Sequence, residues 1–183
     1  MFDKWYVSTT WTSKEDSYLK QIQNYNLEKG INGISLFVPK KEFFFIKRGE
    51  PMAQVKPMFK GYIFFETKME TYEFLSYFNK LVRDLMWLDF LYLLRYGDTR
   101  DSLVRRGEQL ALLQFMNDKR IMEISRGYKE GDKVKIINGA LTGFESNIVY
   151  INTHKMQAAV EVQMMGRCTI MTVGLEMIEK VNE

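Results

Sequence analysis

The stretch Val55-Lys56-Pro57-Met58-Phe59-Lys60-Gly61-Tyr62-Ile63-Phe64-Phe65-Glu66-Thr67 decides how the first part of the chain folds. A proline leads into a glycine ringed by aromatics, and a β-branched and aromatic run follows that reads as a central strand. Burial alone does not require a glycine there; close approach of another backbone or of a partner does. Strict alternation sends Phe59, Gly61, Ile63 and Phe65 to one face and Lys60, Tyr62 and Phe64 to the other. Both faces are apolar, so helices of the same domain should cover one, and the other is either covered too or left as a patch for a partner.

Upstream, Lys4 to Thr10 reads as a strand and Ser13 as the start of a helix, with Ser13 and Asp16 as a capping-box-like pair. Tyr18, Leu19, Ile22 and Tyr25 supply that helix's apolar stripe, and Gly30 sits where a left-handed C-cap belongs. Ile34 to Pro39 is a second strand, and residues 42–57 a strand pair turning at 47–51. A second helix opens at Thr71. A third runs from Glu108 to Met116, with Leu110, Leu113 and Met116 expected inward. Strands with interspersed helices and no βαβ rhythm predict an α+β fold and not a doubly wound sheet.

The pattern changes after Met116. Residues 118–127 are polar and hold Gly127, and are expected to be a linker between a domain of residues 1–117 and one of residues 128–183. From Tyr128 onward, about five short strands with turns at a spacing of roughly 8–12 residues predict a small β-barrel.

Composition excludes several classes. The chain of 183 residues is 46% hydrophobic with a net charge of +3, enough apolar content for a core and too little charge to name a partner. Charge is uneven: residues 40–60 hold six cations and two carboxylates, a local balance of +4, which suits an acidic partner or nucleic acid. Cys168 is the single cysteine, so no intrachain disulfide forms, and with one histidine, His154, on an expected turn a zinc site is not expected. No apolar run reaches the ~20 residues of a membrane span, and no leader pattern opens the chain. No nucleophile elbow, phosphate loop or paired catalytic carboxylates stand out, so neither an enzyme nor a cofactor is expected, and a cytoplasmic monomer without membrane contact is.

Two motifs carry a family resemblance. Phe59-Lys60-Gly61-Tyr62-Ile63-Phe64, after an amino-terminal Trp5-Tyr6-Val7 strand, resembles the Phe-Pro-Gly-Tyr signature of NusG amino-terminal (NGN) domains, with Lys60 where proline is usual. Gly131 to Gly139, followed by Leu141-Thr142-Gly143-Phe144, resembles a KOW motif of an SH3-like barrel, with Ser146 where another glycine is common. In this order the two are similar to the NusG family of transcription elongation factors over nearly the whole chain.

The resemblance implies a docking surface for the clamp helices of RNA polymerase, formed by Trp5, Tyr6, Phe59, Gly61, Tyr62 and Phe64. It also implies a protein contact at Phe144, with ribosomal protein S10 or the termination factor Rho. The divergent loops and the Arg105-Arg106 pair are most similar to the specialised LoaP branch, antiterminators whose KOW domain recognises an RNA hairpin in the nascent leader. The residues expected to bind that RNA are Lys119, Arg120, Arg126, Lys129, Lys133, Lys135, Lys155 and Arg167. Residues 128–183 carry six cations and seven carboxylates, so binding would depend on these cations forming a local patch. A ribosome-associated RNA-binding protein is the competing class, since KOW barrels occur there too.

Overall fold

The computed structural model describes residues 3–88, 91–131 and 133–178. Its elements are β1 (Lys4–Thr9), α1 (Glu15–Glu28), β2 (Ile34–Phe37), β3 (Lys40–Lys47), β4 (Glu50–Pro57), β5 (Tyr62–Thr67), α2 (Thr71–Asp84), β6 (Tyr92–Leu93), α3 (Arg106–Phe115), β7 (Ile121–Met122), β8 (Ser125–Glu130), β9 (Lys133–Asn138), β10 (Ile148–Asn152), β11 (Gln157–Met164) and β12 (Arg167–Met177). The expected α+β class is what the chain has. Among the described residues no helix is long and apolar enough to cross a membrane.

The chain forms two compact units, and their boundaries differ from those read in the sequence. Unit 1 comprises Met1–Val38 and Phe59–Gln109; unit 2 comprises Pro39–Met58 and Leu110–Glu183. The β3–β4 hairpin therefore belongs with the carboxy-terminal strands. The expected linker is not one: β7 pairs in parallel with Lys40 and Lys41 of β3, and β8 begins at Ser125.

Unit 1 is a sheet of order β2-β5-β1-β6. β5 lies antiparallel between β1 and β2, with Tyr6 opposite Phe65 and Leu36 opposite Phe65 on the far side. The period of two puts Tyr6, Ile63, Phe65 and Leu36 on one face, where α1 and α2 cover them. Ile22 of α1 and Phe74, Phe78 and Leu81 of α2 complete this core, and each such buried side chain contributes roughly 2 kcal/mol.

α2 starts in a capping box, the Glu70 N–H donating to Glu73 Oε2 at 2.9 Å. α1 does not start at Ser13 as the sequence suggests. Ser13 has φ of 70° and Lys14 takes the N-cap position without a side-chain hydrogen bond. A left-handed residue cannot present the extended cap geometry that a serine needs. The α1 terminus is as expected, with Gly30 at φ of 63° just beyond the helix.

Unit 2 holds a sheet of order β10-β11-β12-β8-β9, whose two antiparallel parts are joined by a parallel β12–β8 pair, and the smaller sheet β4-β3-β7. Gly139 explains the motif glycine: at φ of 98°, an added Cβ would stand 2.5 Å from the Ser125 Cα. Beside it, the buried Ser125 Oγ accepts the Leu141 N–H at 2.9 Å. Ser125→Ala should cost about 1–2 kcal/mol and cut hydrogen-exchange protection of the Leu141 amide, read by NMR.

Gly174 of β12 does the same for β3. A Cβ there would lie 3.0 Å from the Glu42 carbonyl oxygen, so the glycine lets the hairpin root cross the strand. Gln157 Nε2 donates to the Phe44 carbonyl at 3.2 Å and fastens the crossing. The inward face of α3 is also not the expected one. Leu112 and Phe115 are buried, whereas Leu110 and Leu113 are exposed. Three leucines within four positions, 110, 112 and 113, leave the helical phase ambiguous, and tertiary packing selects it.

Candidate functional site

Away from α1 and α2, the second face of the unit 1 sheet carries Trp5 and Val7 of β1, Tyr62 and Phe64 of β5, and Phe37 of β2, as the pairings Val7–Phe64 and Phe37–Phe64 require. The rings form one cluster. Trp5 meets Phe37 edge-on at 5.0 Å between centroids and Phe64 at 6.0 Å; Phe59 stacks with Tyr62 at 6.2 Å and tilts over Phe64 at 6.2 Å. The Trp5 indole N–H donates to Glu66 Oε1 at 2.9 Å, which fixes its rotamer. Phe59 thus joins Tyr62 and Phe64 instead of facing with Ile63, because it precedes the strand and the Gly61 turn breaks the alternation.

Tyr6 is not on this face. Trp5 and Tyr6 are adjacent in an extended strand and point to opposite sides. The Tyr6 ring stacks on Phe74 at 3.9 Å, its hydroxyl donates to Thr71 Oγ1 at 3.0 Å, and burial pushes its phenol above the usual value. It is a core residue of the helix side.

Nor is the ridge exposed throughout. Trp5, Phe59 and Phe64 are 1%, 5% and 0% exposed, so they form a floor, while Phe37 and Tyr62 are half-buried and form the accessible rim. Tyr92 of β6, paired with Thr9, lies on the same face and is exposed. Phe37 and Tyr92 were not singled out from the sequence; the signal was present in Phe37, the one aromatic that closes the Ile34–Phe37 run.

Gly61 answers the question its stretch raises, and not through a partner. Its φ is 75°, and a Cβ would stand 2.8 Å from the Thr10 carbonyl oxygen. Its N–H donates to the buried Glu15 Oε1 at 2.6 Å, and its carbonyl accepts the Thr10 N–H at 2.8 Å. The backbone that comes close is the chain's own. Glu15 is the first residue of α1, where the helix N-terminus favours its charge.

The eight basic residues do not converge on one patch. Lys119 and Arg120 lie on the turn before β7. Arg126 Nε is paired with Glu176 Oε2 at 2.6 Å. On the β8–β9 ladder, Lys133 and Lys135 share a face with Glu130, and Lys135 pairs with Glu130, which raises the lysine pKa first through its hydrogen bond. Lys129, one residue off that register, points to the opposite face. Lys155 and Arg167 sit before and after β11, roughly 25 Å apart along the strand. All but the half-buried Arg120 are exposed.

Phe144 is half-buried, with its ring 4.1 Å from that of Phe115, so part of it is engaged within unit 2. Cys168 is exposed, but desolvation and then Glu161 push its thiol up, away from a reactive thiolate. His154 is exposed on its turn. Among the described residues no group of three or more His, Cys, Asp or Glu is arranged to hold a metal ion.

A four-stranded α+β unit with an aromatic face, interleaved in sequence with a unit of one five-stranded and one three-stranded sheet, defines a two-unit α+β chain. The family model described as "Transcription termination factor nusG" matches residues 3–85, and through that segment the chain is NusG-like. Members of that family are transcription factors and not enzymes. The fold is similar to a solved structure described as "Domain interaction in Thermotoga maritima NusG", with a TM-score of 0.51, 19% sequence identity, and coverage of 94% of this chain and 93% of that one. A search among curated proteins finds no match.

Proposed function

We propose that the chain is a cytoplasmic transcription elongation and antitermination factor of the LoaP type. Unit 1 docks on RNA polymerase through its aromatic face, and the carboxy-terminal strands recognise a hairpin in the nascent leader RNA. The single observation that carries the docking is the aromatic cluster on the sheet face away from α1 and α2, within the segment that matches the NusG model. NusG-family proteins generally bind RNA polymerase, and a rigid aromatic floor with a half-exposed rim suits burial against a helical partner.

In this reading Trp5, Phe59 and Phe64 hold the rim in place, Phe37 and Tyr62 make the contact, and Gly61 and Tyr6 act through the fold. RNA contact falls to separate cations, chiefly Lys129 and Lys133, since Arg126 and Lys135 already face carboxylates. Duplex RNA is read mostly through backbone and shape, which a few dispersed cations can satisfy. The alternative, a general NusG whose Phe144 contacts ribosomal protein S10 or Rho, is disfavoured by the engagement of that ring with Phe115.

Terminator read-through with and without the chain's own leader tests the whole reading. Increased read-through that depends on the leader is expected; leader-independent behaviour would return the chain to general elongation. For the RNA contact, Lys129→Glu combined with Lys133→Glu in the full chain should weaken a leader-hairpin gel shift at least tenfold at moderate salt. The full chain is required, because a fragment starting at residue 118 would lack the β3–β4 hairpin that packs on β12.

A further inference from the structure

The cation excess of residues 40–60 is absorbed by neither surface above. In the β3–β4 register, Lys41 stands opposite Lys56, Phe43 opposite Gln54, Phe45 opposite Met52 and Lys47 opposite Glu50, so these share one face of the hairpin. Lys56 Nζ sits 5.0 Å from the centroid of Phe43. At the tip, Arg48 is exposed at φ of 55°, beside the exposed Lys47. The carboxylate on this face is Glu50, at the tip; Glu42 lies on the other face, where its Oε2 is directed at the Ile124 N–H.

We infer that this face of the β3–β4 hairpin binds an unstructured single strand of nucleic acid, stacking bases on Phe43 and Phe45 and placing phosphates on the exposed Lys47 and Lys56. Charge complementarity selects a polyanion, and the alternation of cations and rings selects one with flat bases. Successive same-face residues lie about 6.6 Å apart along β3. That is nearly twice the ~3.4 Å rise per nucleotide of one duplex strand, so an extended single strand fits and a stacked duplex does not. Addition of a protein strand at the outer edge is opposed by Pro51 and Pro57, which stand at both ends of β4 and leave no N–H there.

The test is fluorescence anisotropy of the full chain with labelled U12 and dT12 at low salt. Both strands should bind, and a 12-base-pair duplex should bind more weakly. Phe45→Ala should weaken U12 binding roughly tenfold. Phe45→Leu, which keeps apolar bulk but removes the ring, should do nearly the same and guards against misfolding of the alanine variant. Lys47→Gln with Lys56→Gln should flatten the salt dependence by about two ions. Lys80→Gln, which removes an exposed cation from α2, should leave U12 binding unchanged. The inference is overturned if wild type fails to bind U12, if the Phe45 and lysine variants bind it as wild type does, if the duplex binds as tightly, or if polyglutamate competes as well as U12.

Discussion

Gly61→Val should unfold unit 1 at a temperature roughly 15 °C below that of the unaltered chain. Three costs add. A β-branched residue at φ of 75° is strained by about 1–3 kcal/mol. Its Cβ would lie 2.8 Å from the Thr10 carbonyl, a backbone atom that cannot swing away. Any shift that relieves the clash disturbs the Glu15–Gly61 bond of 2.6 Å, leaving a buried carboxylate without that donor. Together these reach about 3 kcal/mol or more, and for a unit of this size each kcal/mol lowers the midpoint by about 4–8 °C.

The chain supplies its own probe, since its three tryptophans, Trp5, Trp11 and Trp87, all fall in unit 1. Tryptophan fluorescence therefore follows unit 1 alone. Glu15→Gln, which keeps an acceptor and removes the charge, should cost about half as much. An unshifted transition in Gly61→Val would show that the signature glycine is there for a partner after all, not for the Thr10 approach.

How much of this was legible in the sequence differs by feature, and the reason is the range of the interaction. Local chemistry could be read: the strand pair around 47–51, the start of α2 at Thr71, and Gly30 after α1 each follow from neighbouring residues. The aromatic signature could be read as a site, but not its sidedness near the turn. Phe59 obeys the alternation only if it lies within the strand, and it does not.

Tyr6 was grouped with Trp5 through a motif, although the period of two already separates them. Assignment of the β3–β4 hairpin to unit 2 was out of reach. It depends on Lys40 and Lys41 pairing with Ile121 and Met122, and on Gly174 admitting the Glu42 backbone, contacts across some 80 to 130 positions that no local pattern records. Convergence of the basic residues failed for a similar reason, because strand register and the ends of β11 decide where a lysine points.

Phe37→Ser combined with Tyr62→Ser should abolish attachment to RNA polymerase. Both residues are half-buried, so truncation removes partner contact with modest damage to the fold, whereas truncating the fully buried Phe64 would cost about 3–5 kcal/mol of stability. Centrally placed aromatic anchors each contribute about 2 kcal/mol or more to an interface, so losing two should weaken binding by roughly a thousandfold. Tyr72, exposed on α2 on the helix side of the sheet, supplies the control: Tyr72→Ser removes an aromatic of the same kind from the other surface.

The most direct measurement is co-purification of RNA polymerase from the same cells with the tagged full chain, its Phe37→Ser/Tyr62→Ser variant and its Tyr72→Ser variant. Polymerase should accompany the unaltered chain and Tyr72→Ser and be absent from the double variant, whose tryptophan fluorescence should still report a folded unit 1. Wild-type recovery of polymerase on the double variant, with that fluorescence intact, would contradict docking through the aromatic face.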